Sequence, residues 1–360
     1  QYEKKGQYIK HLELGEPDQY APGRIINKTI VSLLEHKVGY APSGGISSLR
    51  EGIANYYSKK LNKNFLESNV AISPANMLIY QLLEICSNSE DKVCIFTPGF
   101  PTYFAASKYI NLKINQVELD SSNGFQLKRM HIDQAISKKP KVIMVNSGNN
   151  PTGAVYDKDV LEYLVKKATE NNIWVISDET YGMLSFNKNY FSLLELNYEK
   201  IIVLSSFSKV FSVPGYRVGY VMADSKVIEK VVLSSSTLYS CLPIFVQEGI
   251  NEGLDILDEF TKKRRSDYKK LSTECINILT KDNRISCSPP DSGFYLFIDI
   301  RKLGLDDFTF CSKLLEGYGT AITPGSSFGK PGFVRACFCK DINIVKDGLE
   351  DLVAFAKTLN

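Results

Sequence analysis

Short apolar runs that alternate with helical patterns are the feature of this sequence that most constrains its fold. Four runs have the length and the β-branched composition of buried strands, at Lys92–Phe96, Lys141–Val145, Ile173–Ser177 and Ile201–Ser205. Between them apolar residues recur at helical spacing, as in Val160–Thr169. Because parallel strands are joined through crossovers that cover the sheet, this alternation predicts an α/β fold with a mainly parallel sheet and helices on both faces.

The length of the chain and a change in its pattern predict two domains. The 360 residues exceed the roughly 250–300 at which a single core usually stops growing. A strand at Arg217–Met222 and a long helix at about Leu254–Leu279 complete the first pattern. The C-terminal part then predicts two strands and two helices, at Phe294–Ile300, Phe333–Phe338, Phe308–Leu315 and Ile344–Ala356. We therefore expect a large domain over residues 41–284 and a small α+β domain built from residues 1–40 and 285–360.

The charge pattern argues against a nucleic-acid partner. The formal net charge is only +3, whereas nucleic-acid binders concentrate basic residues strongly on one surface. The densest basic run, Lys262–Arg265, lies in a helical pattern and indicates a solvated helix face. The three histidines, His11, His36 and His131, have no metal-ligand spacing, so no metal site is expected.

Two further features bear on the cellular compartment. No apolar run approaches the roughly 18–20 residues of a membrane span, so no membrane partner is predicted. The eight cysteines include no C-x-x-C pair, and a chain of this length does not depend on disulfides. Reduced thiols and a cytoplasmic location are therefore expected. The first residue is Gln1 rather than Met, which leaves open whether a targeting segment precedes it.

Polar and reactive residues follow three of the predicted strands. The first strand continues into Asn149–Gly153, a polar turn predicted to open a helix. The second continues into Asp178–Tyr181, and the third into Ser205–Lys209. Arg217 lies eight residues past Lys209 (217 − 209), after a Pro-Gly turn. Ligands of open α/β sheets bind beyond the carboxyl ends of the strands. We therefore expect these groups to meet at one edge of the sheet.

In order and spacing, these motifs resemble the class I/II aminotransferases of the aspartate aminotransferase superfamily, which are fold-type I enzymes dependent on pyridoxal 5′-phosphate (PLP). The family pattern N-P-T-G, D-E-x-Y, S-x-S-K and G-x-R-x-G is present in that order. The resemblance covers nearly the whole chain and implies a seven-stranded, mainly parallel sheet in the large domain. The residues that carry it are Asn150–Gly153, Asp178–Tyr181, Ser206–Lys209 and Gly215–Gly219, with Gly15–Pro17, Tyr40, Pro98–Tyr103, Gly293–Tyr295 and Pro324–Arg335.

The resemblance implies a role for each residue around the PLP ring. Lys209 would form a Schiff base with the cofactor and, once displaced, carry the proton to and from the substrate Cα. Asp178 would keep the pyridine nitrogen protonated. Asn150 and Tyr181 would hydrogen-bond the 3′-oxygen, and Phe100 would stack on the ring. Lys209, Asp178 and Tyr181 are the expected catalytic residues.

The phosphate and the substrate have their own predicted partners. Arg217, Ser206 and the backbone amides of Ala75 and Asn76 at a helix N-terminus would bind the phosphate. Tyr40 resembles the tyrosine that reaches the phosphate of a neighbouring subunit, which implies a homodimer. For the substrate, Arg335 would bind the α-carboxylate, with Gly15 and Asn150 beside it. The chain departs from the family at Pro74, where relatives usually carry a glycine, so one backbone contact to the phosphate would be absent or shifted.

The implied activity is transfer of an amino group from an L-amino acid to a 2-oxo acid with ping-pong kinetics. A PLP-dependent C–S lyase or a specialised biosynthetic enzyme on the same fold remains the main alternative. A non-catalytic protein that binds PLP or an amino acid is a third, disfavoured by the complete set of Lys209, Asp178 and Arg217. The residues above do not select the substrate side chain.

Overall fold

The computed structural model describes residues 3–359, and its largest element is a seven-stranded sheet. The strands, in chain order, are β1 (Lys10–His11), β2 (Val70–Ser73), β3 (Lys92–Thr97), β4 (Lys113–Glu118), β5 (Val142–Val145), β6 (Trp174–Asp178), β7 (Ile201–Ser206), β8 (Gly219–Met222), β9 (Ser286–Cys287), β10 (Tyr295–Asp299), β11 (Thr320–Ala321), β12 (Thr323–Pro324) and β13 (Phe333–Cys337). The helices are α1 (Gly23–Leu34), α2 (Ser47–Leu61), α3 (Ala75–Cys86), α4 (Pro101–Tyr109), α5 (Arg129–Ser137), α6 (Lys158–Glu170), α7 (Phe207–Val210), α8 (Ser225–Leu238), α9 (Ile244–Gly253), α10 (Leu257–Leu279), α11 (Asp307–Tyr318) and α12 (Ile342–Thr358).

The large sheet has the order β2-β8-β7-β6-β5-β3-β4. All its neighbouring strands are parallel except β8, which runs antiparallel to both β2 and β7. Along β5, Val142 and Met144 pack into one hydrophobic cluster, while Ile143 and Val145 pack into the other. Apolar side chains on both faces explain why the strands read as continuous apolar runs. The predicted α/β fold with a mainly parallel, seven-stranded sheet is confirmed.

Two smaller sheets lie outside the large one. Four antiparallel strands, in the order β12-β13-β10-β9, form one of them. The other consists of β1 and β11, which pair in parallel with Lys10 opposite Thr320. The N-terminal segment therefore pairs with the C-terminal part of the chain. In the four-stranded sheet Phe297 of β10 lies opposite Arg335 of β13, so this sheet carries an arginine expected at the site.

The structure corrects three details of the sequence-based prediction. Strand β8 begins at Gly219, because Arg217 has a positive φ of 58° and ends a short 3₁₀ turn. The Asn149–Gly153 turn does not open a helix directly, since α6 starts only at Lys158. In the basic run on α10, Arg264 is buried rather than solvated, and its Nη2 donates to the carbonyl of Tyr20 and to Ser212 Oγ.

The structure contains no disulfide among the described residues. All eight cysteines are free thiols, and six of them are buried. Over residues 3–359, no helix combines the length and the apolar character needed to cross a membrane.

Candidate active site

The three predicted strand endings meet around one cavity of about 280 Å³. Asn146 follows the end of β5, Asp178 is the last residue of β6, and Ser206 is the last residue of β7; all three line this cavity. It lies where the carboxyl ends of parallel strands direct their side chains, as expected for an open α/β sheet.

Nearly every residue expected at the site lines this cavity. The N-terminal segment and the C-terminal sheet contribute as well as the large sheet. The expected residues that line it are Gly15, Ala75, Asn76, Phe100, Asn150, Asp178, Tyr181, Ser206, Lys209, Arg217 and Arg335. Tyr40 does not line it; its side chain is 89% exposed on this chain.

Lys209 lies on the short helix α7, directly after β7. Ser206 begins this helix by accepting a hydrogen bond from the amide of Ser208 (3.2 Å), which fixes the turn that points Lys209 into the cavity. Lys209 Nζ donates to the carbonyl oxygen of Gly15 at 2.6 Å. Burial lowers the pKa of Lys209, and the nearby Arg335 and Arg217 lower it further. A lysine with a lowered pKa has more of the neutral amine that attacks a carbonyl.

Asp178 is a buried carboxylate with two defined donors. Tyr103 Oη donates to its Oδ2 at 2.7 Å, and the amide of Thr180 donates to its Oδ1 at 3.0 Å. Burial raises the pKa of Asp178, while these hydrogen bonds oppose the shift. The side-chain amide of Asn146 donates to the Asp178 carbonyl at 2.8 Å. The carboxylate is therefore fixed in position and is available to a cationic N–H group in the cavity.

Arg335 enters from the C-terminal sheet and is only 8% exposed. Its Nη1 donates to Asn150 Oδ1 at 3.0 Å and its Nη2 to the carbonyl of Glu13 at 2.6 Å. The guanidinium stacks on the Tyr295 ring at 4.3 Å from the ring centroid and lies 4.8 Å from that of Phe328. Nε is buried and has no hydrogen-bond partner among the described residues. A buried unpaired donor costs free energy, which favours an anionic ligand at this position.

Arg217 and the first residues of α3, Ala75 and Asn76, also line the cavity. Arg217 forms no ion pair within residues 3–359; its Nη1 donates to the carbonyl of Pro214 at 2.9 Å. Gly219 lets α3 approach β8 closely, because a Cβ there would lie 2.9 Å from the backbone nitrogen of Ala75. A helix N-terminus beside an arginine is a suitable anion site.

The structure also shows what Pro74 does. Pro74 is the N-cap of α3, so the first helical residues are Ala75 and Asn76, and their amides precede the first internal helix bonds. Leu78 is the first residue whose amide bonds back, to the carbonyl of Pro74 at 3.0 Å. One donor is missing at the N-cap, while the amides of Ala75, Asn76 and Met77 remain available.

Sequence reasoning assigned no role to three residues that shape the site. Tyr103 and Tyr295 stood inside motifs that had been matched, but their hydroxyl partners, Asp178 and Tyr181, are distant in sequence. Asn146 follows β5 immediately, but the prediction relied on the Asn150-Pro151 turn that comes after it. A polar residue directly after a buried strand was the available signal.

Glu179, next to Asp178, belongs to a separate cavity of about 430 Å³ that Tyr57 and Tyr190 also line. It accepts hydrogen bonds from the amide of Leu193 (2.9 Å) and from Ser177 Oγ (3.2 Å). Burial raises the pKa of Glu179 to about 7. Its carboxyl group thus anchors the loop behind Asp178 and does not line the site.

The site thus combines a partly buried amine, at Lys209, with two positions suited to anions, at Arg217 beside the α3 N-terminus and at Arg335. Comparisons with known proteins agree. The family model for "Aminotransferase class I and II" matches residues 21–350. The chain is 30% identical to an aspartate aminotransferase of Thermotoga maritima, over 98% of this chain and 92% of that protein. It is likewise 30% identical to a (5-formylfuran-3-yl)methyl phosphate transaminase of Methanocaldococcus jannaschii, over 98% and 93% of the two chains.

Solved structures give the same result. The T. maritima aspartate aminotransferase superimposes with a TM-score of 0.93 at 30% identity, covering 99% of this chain and 94% of that one. An aromatic aminotransferase from Pyrococcus horikoshii superimposes with a TM-score of 0.92 at 27% identity, covering 96% and 95%. The chain belongs to the class I and II aminotransferase family. It is a PLP-dependent aminotransferase of fold type I.

The residues present fit PLP. The buried amine of Lys209 suits an aldehyde, and Arg217 with the α3 N-terminus suits a phosphate. The buried carboxylate of Asp178 suits a protonated pyridine nitrogen. These groups leave Arg335 for a substrate.

A pH-dependent prediction follows from Glu179. Burial raises its pKa from 4.5 to about 7, so between these values the folded protein holds a proton that the unfolded chain has lost. Folding stability therefore falls as pH rises through this window, by about 3 kcal/mol in all. Glu179→Gln should remove this part of the pH dependence, as measured by urea unfolding of the cofactor-free protein at pH 5 and pH 8.

The exposed Glu199 provides the matched control. Glu199→Gln makes the same charge change and should leave the pH dependence as in the wild type. Equal slopes for the Glu179 variant and the wild type would refute the assignment.

Proposed function

We propose that this enzyme moves an amino group between an L-amino acid and a 2-oxo acid, with Lys209 as its covalent and proton-carrying residue. The observation that carries the proposal is the convergence of Lys209, Asp178, Arg217 and Arg335 on one cavity. When bound, PLP supplies an electron sink that stabilises negative charge on the substrate Cα. The transfer activity of the relatives favours this reaction over elimination at a C–S bond and over a non-catalytic role.

Each residue has a task that its contacts support. Lys209 is partly buried and has a lowered pKa, so its Nζ can take a proton from the substrate Cα and return it elsewhere. Asp178, held by Tyr103, would keep the pyridine nitrogen protonated. Tyr181 and Asn150 would donate to the ring oxygen, and Phe100, half-buried beside Tyr103, would cover the ring face.

The phosphate would lie between Arg217, Ser206 and the amides of Ala75 and Asn76. Arg217 is a cation without an acidic partner in the described residues, and a planar guanidinium can bind phosphate with two hydrogen bonds. Asn76 is exposed at the start of α3, where the helix dipole favours an anion. Pro74 shortens this set by one amide and leaves the neighbouring amides in place.

The substrate carboxylate would bind Arg335, with Asn150 and Gly15 beside it. The fork of Arg335 already donates to Asn150 and to the Glu13 carbonyl, and its free Nε would complete the set. Donor and acceptor both carry an α-carboxylate, and the cavity offers one such arginine. The two substrates would therefore occupy the site in turn, which gives ping-pong kinetics.

The domain division and the assembly remain proposals. We place the large domain at 41–284 and the small one at 1–40 with 285–360, supported by the separate sheets on either side of α10. A homodimer is supported by Tyr40, exposed on its own chain, and by exposed apolar residues on α1 such as Leu34 (74% exposed). The free thiols support a cytoplasmic location.

The role of Lys209 predicts a spectroscopic result. PLP bound covalently to a lysine gives a visible absorbance band, so the wild type should gain this band on reconstitution and Lys209→Ala should not. Lys340→Ala removes a different lysine, paired with Asp18 at 2.9 Å outside the cavity. It should form the band normally, and an unchanged band in Lys209→Ala would disprove the assignment.

The shared site predicts complementation between subunits. If Tyr40 of one subunit completes the phosphate site of the other, a hybrid of Tyr40→Phe and Lys209→Ala subunits contains one site with both wild-type residues. Mixing the two inactive or weakened proteins should restore up to about a quarter of wild-type activity per subunit when subunits exchange at random. Activity no greater than the sum of the separate variants would contradict the shared site.

A further inference from the structure

Tyr295 is a buried tyrosine of β10 to which the roles above assign nothing. It is 4% exposed and lines the same cavity as Lys209. Its ring and its hydroxyl group contact three different parts of the site. Each of these contacts restrains a residue that the proposed reaction needs.

The hydroxyl group of Tyr295 lies 2.9 Å from that of Tyr181. Their rings meet edge to face, with centroids 5.7 Å apart. Each hydroxyl can donate only one hydrogen bond. If Tyr181 donates to the cofactor's ring oxygen, Tyr295 must be the donor in the pair. Burial raises the pKa of Tyr295 to about 12, so its hydroxyl keeps this proton across the working pH range.

The face of the Tyr295 ring supports Arg335. The guanidinium carbon lies 4.3 Å from the ring centroid, within the range of a cation–π contact. The two residues come from neighbouring strands, β10 and β13, which pair antiparallel. The ring therefore sets the plane in which Arg335 presents its donors to a carboxylate.

The same hydroxyl lies against Gly15. A Cβ built on Gly15 would be only 1.8 Å from Tyr295 Oη, so no larger residue fits beside this hydroxyl. The carbonyl of Gly15 is the acceptor for Lys209 Nζ at 2.6 Å. Tyr295 thus touches the residues expected to hold the ring oxygen, the substrate carboxylate and the lysine.

We propose that Tyr295 is a positioning residue of the transamination site, whose hydroxyl polarises Tyr181 toward the cofactor oxygen while its ring orients Arg335. This inference rests on the proposed function. The two parts of the side chain should have separable effects. Hydrogen bonds in a chain strengthen one another, so a donor behind Tyr181 makes Tyr181 a better donor.

The hydrogen bond from the Tyr295 hydroxyl should change the apparent pKa of the visible absorbance band in a definite direction. A hydrogen bond to the ring oxygen withdraws negative charge that would otherwise stabilise a proton on the lysine nitrogen bound to the cofactor. Tyr295→Phe weakens that bond and should raise the apparent pKa of the visible absorbance band by about 0.2 to 0.6 unit. Tyr181→Phe removes the bond itself and should raise it further.

The ring predicts a change in KM. Tyr295→Phe keeps the aromatic face under Arg335 and should leave KM for the amino donor within about twofold. Tyr295→Leu removes the face and should raise KM about three- to tenfold. Tyr57→Phe is the matched control, because it removes one hydroxyl from another buried tyrosine pair, Tyr57 and Tyr220 at 2.7 Å. This control should titrate like the wild type.

The experiment is an absorbance titration of the reconstituted wild type, Tyr295→Phe, Tyr295→Leu, Tyr181→Phe and Tyr57→Phe, followed by steady-state kinetics. A raised band pKa in Tyr295→Phe with unchanged KM supports the proposal. A titration identical to the wild type, even with lower stability, overturns it and leaves Tyr295 a packing residue. If the wild type forms no visible band, the proposed function itself fails, and this inference fails with it.

Discussion

The hydrogen bond from Lys209 Nζ to the Gly15 carbonyl, 2.6 Å long, joins the edge of the large sheet to the N-terminal segment. Neighbouring residues of that segment are held equally closely. Arg335 donates to the Glu13 carbonyl at 2.6 Å, and Cys337 Sγ lies 3.0 Å from the Leu14 carbonyl. The N-terminal segment is thereby fixed between the two sheets that supply the reactive groups. The shape of the cavity depends on this connection.

The cavity concentrates positive charge without neutralising it. Lys209, Arg217 and Arg335 all line it, and none of them forms an ion pair within the part of the chain that the structure describes. Their hydrogen-bond partners among the described residues are neutral: the carbonyls of Gly15, Pro214 and Glu13, and the side chains of Asn150 and Thr323. Unpaired cations in a cleft attract anions, which suits both a phosphate and a carboxylate. Asp178 is the buried exception, and burial makes its charge costly unless a cation meets it.

Most of the fold and most of the cavity could be predicted from sequence because they depend on local patterns. The apolar runs predicted β3, β5, β6 and β7 to within a residue or two, and the last three of these runs were followed by polar groups that line the site. The resemblance to the aminotransferases added Arg335 and Gly15, which no local pattern connects to Lys209.

What sequence could not predict depends on contacts between distant residues. The left-handed φ of Arg217 delays β8 by two residues, and nothing near Arg217 indicates it. The partners of Tyr103 and Tyr295 lie 75 and 114 residues away. Pro74 was expected to remove or shift one backbone contact to the phosphate, but only the structure shows that it is the N-cap of α3, which leaves the amides of Ala75 and Asn76 available. Overall similarity does not specify the substrate side chain either. Relatives of similar identity are named as transaminases of aspartate and of a furan-methyl phosphate.

In the proposed reaction one partly buried lysine, beside two unpaired arginines, would anchor PLP and move the proton, while the amino group passes from one carboxylate-bearing substrate to another through the bound cofactor. The most direct test is a single half-reaction of the PLP-loaded protein with a panel of amino acids and no acceptor, with the products identified by mass. The account predicts one equivalent of 2-oxo acid per Lys209, with the amino group retained by the protein until a 2-oxo acid is added. Release of ammonia together with a 2-oxo acid, in more than one equivalent, would indicate elimination and contradict the account.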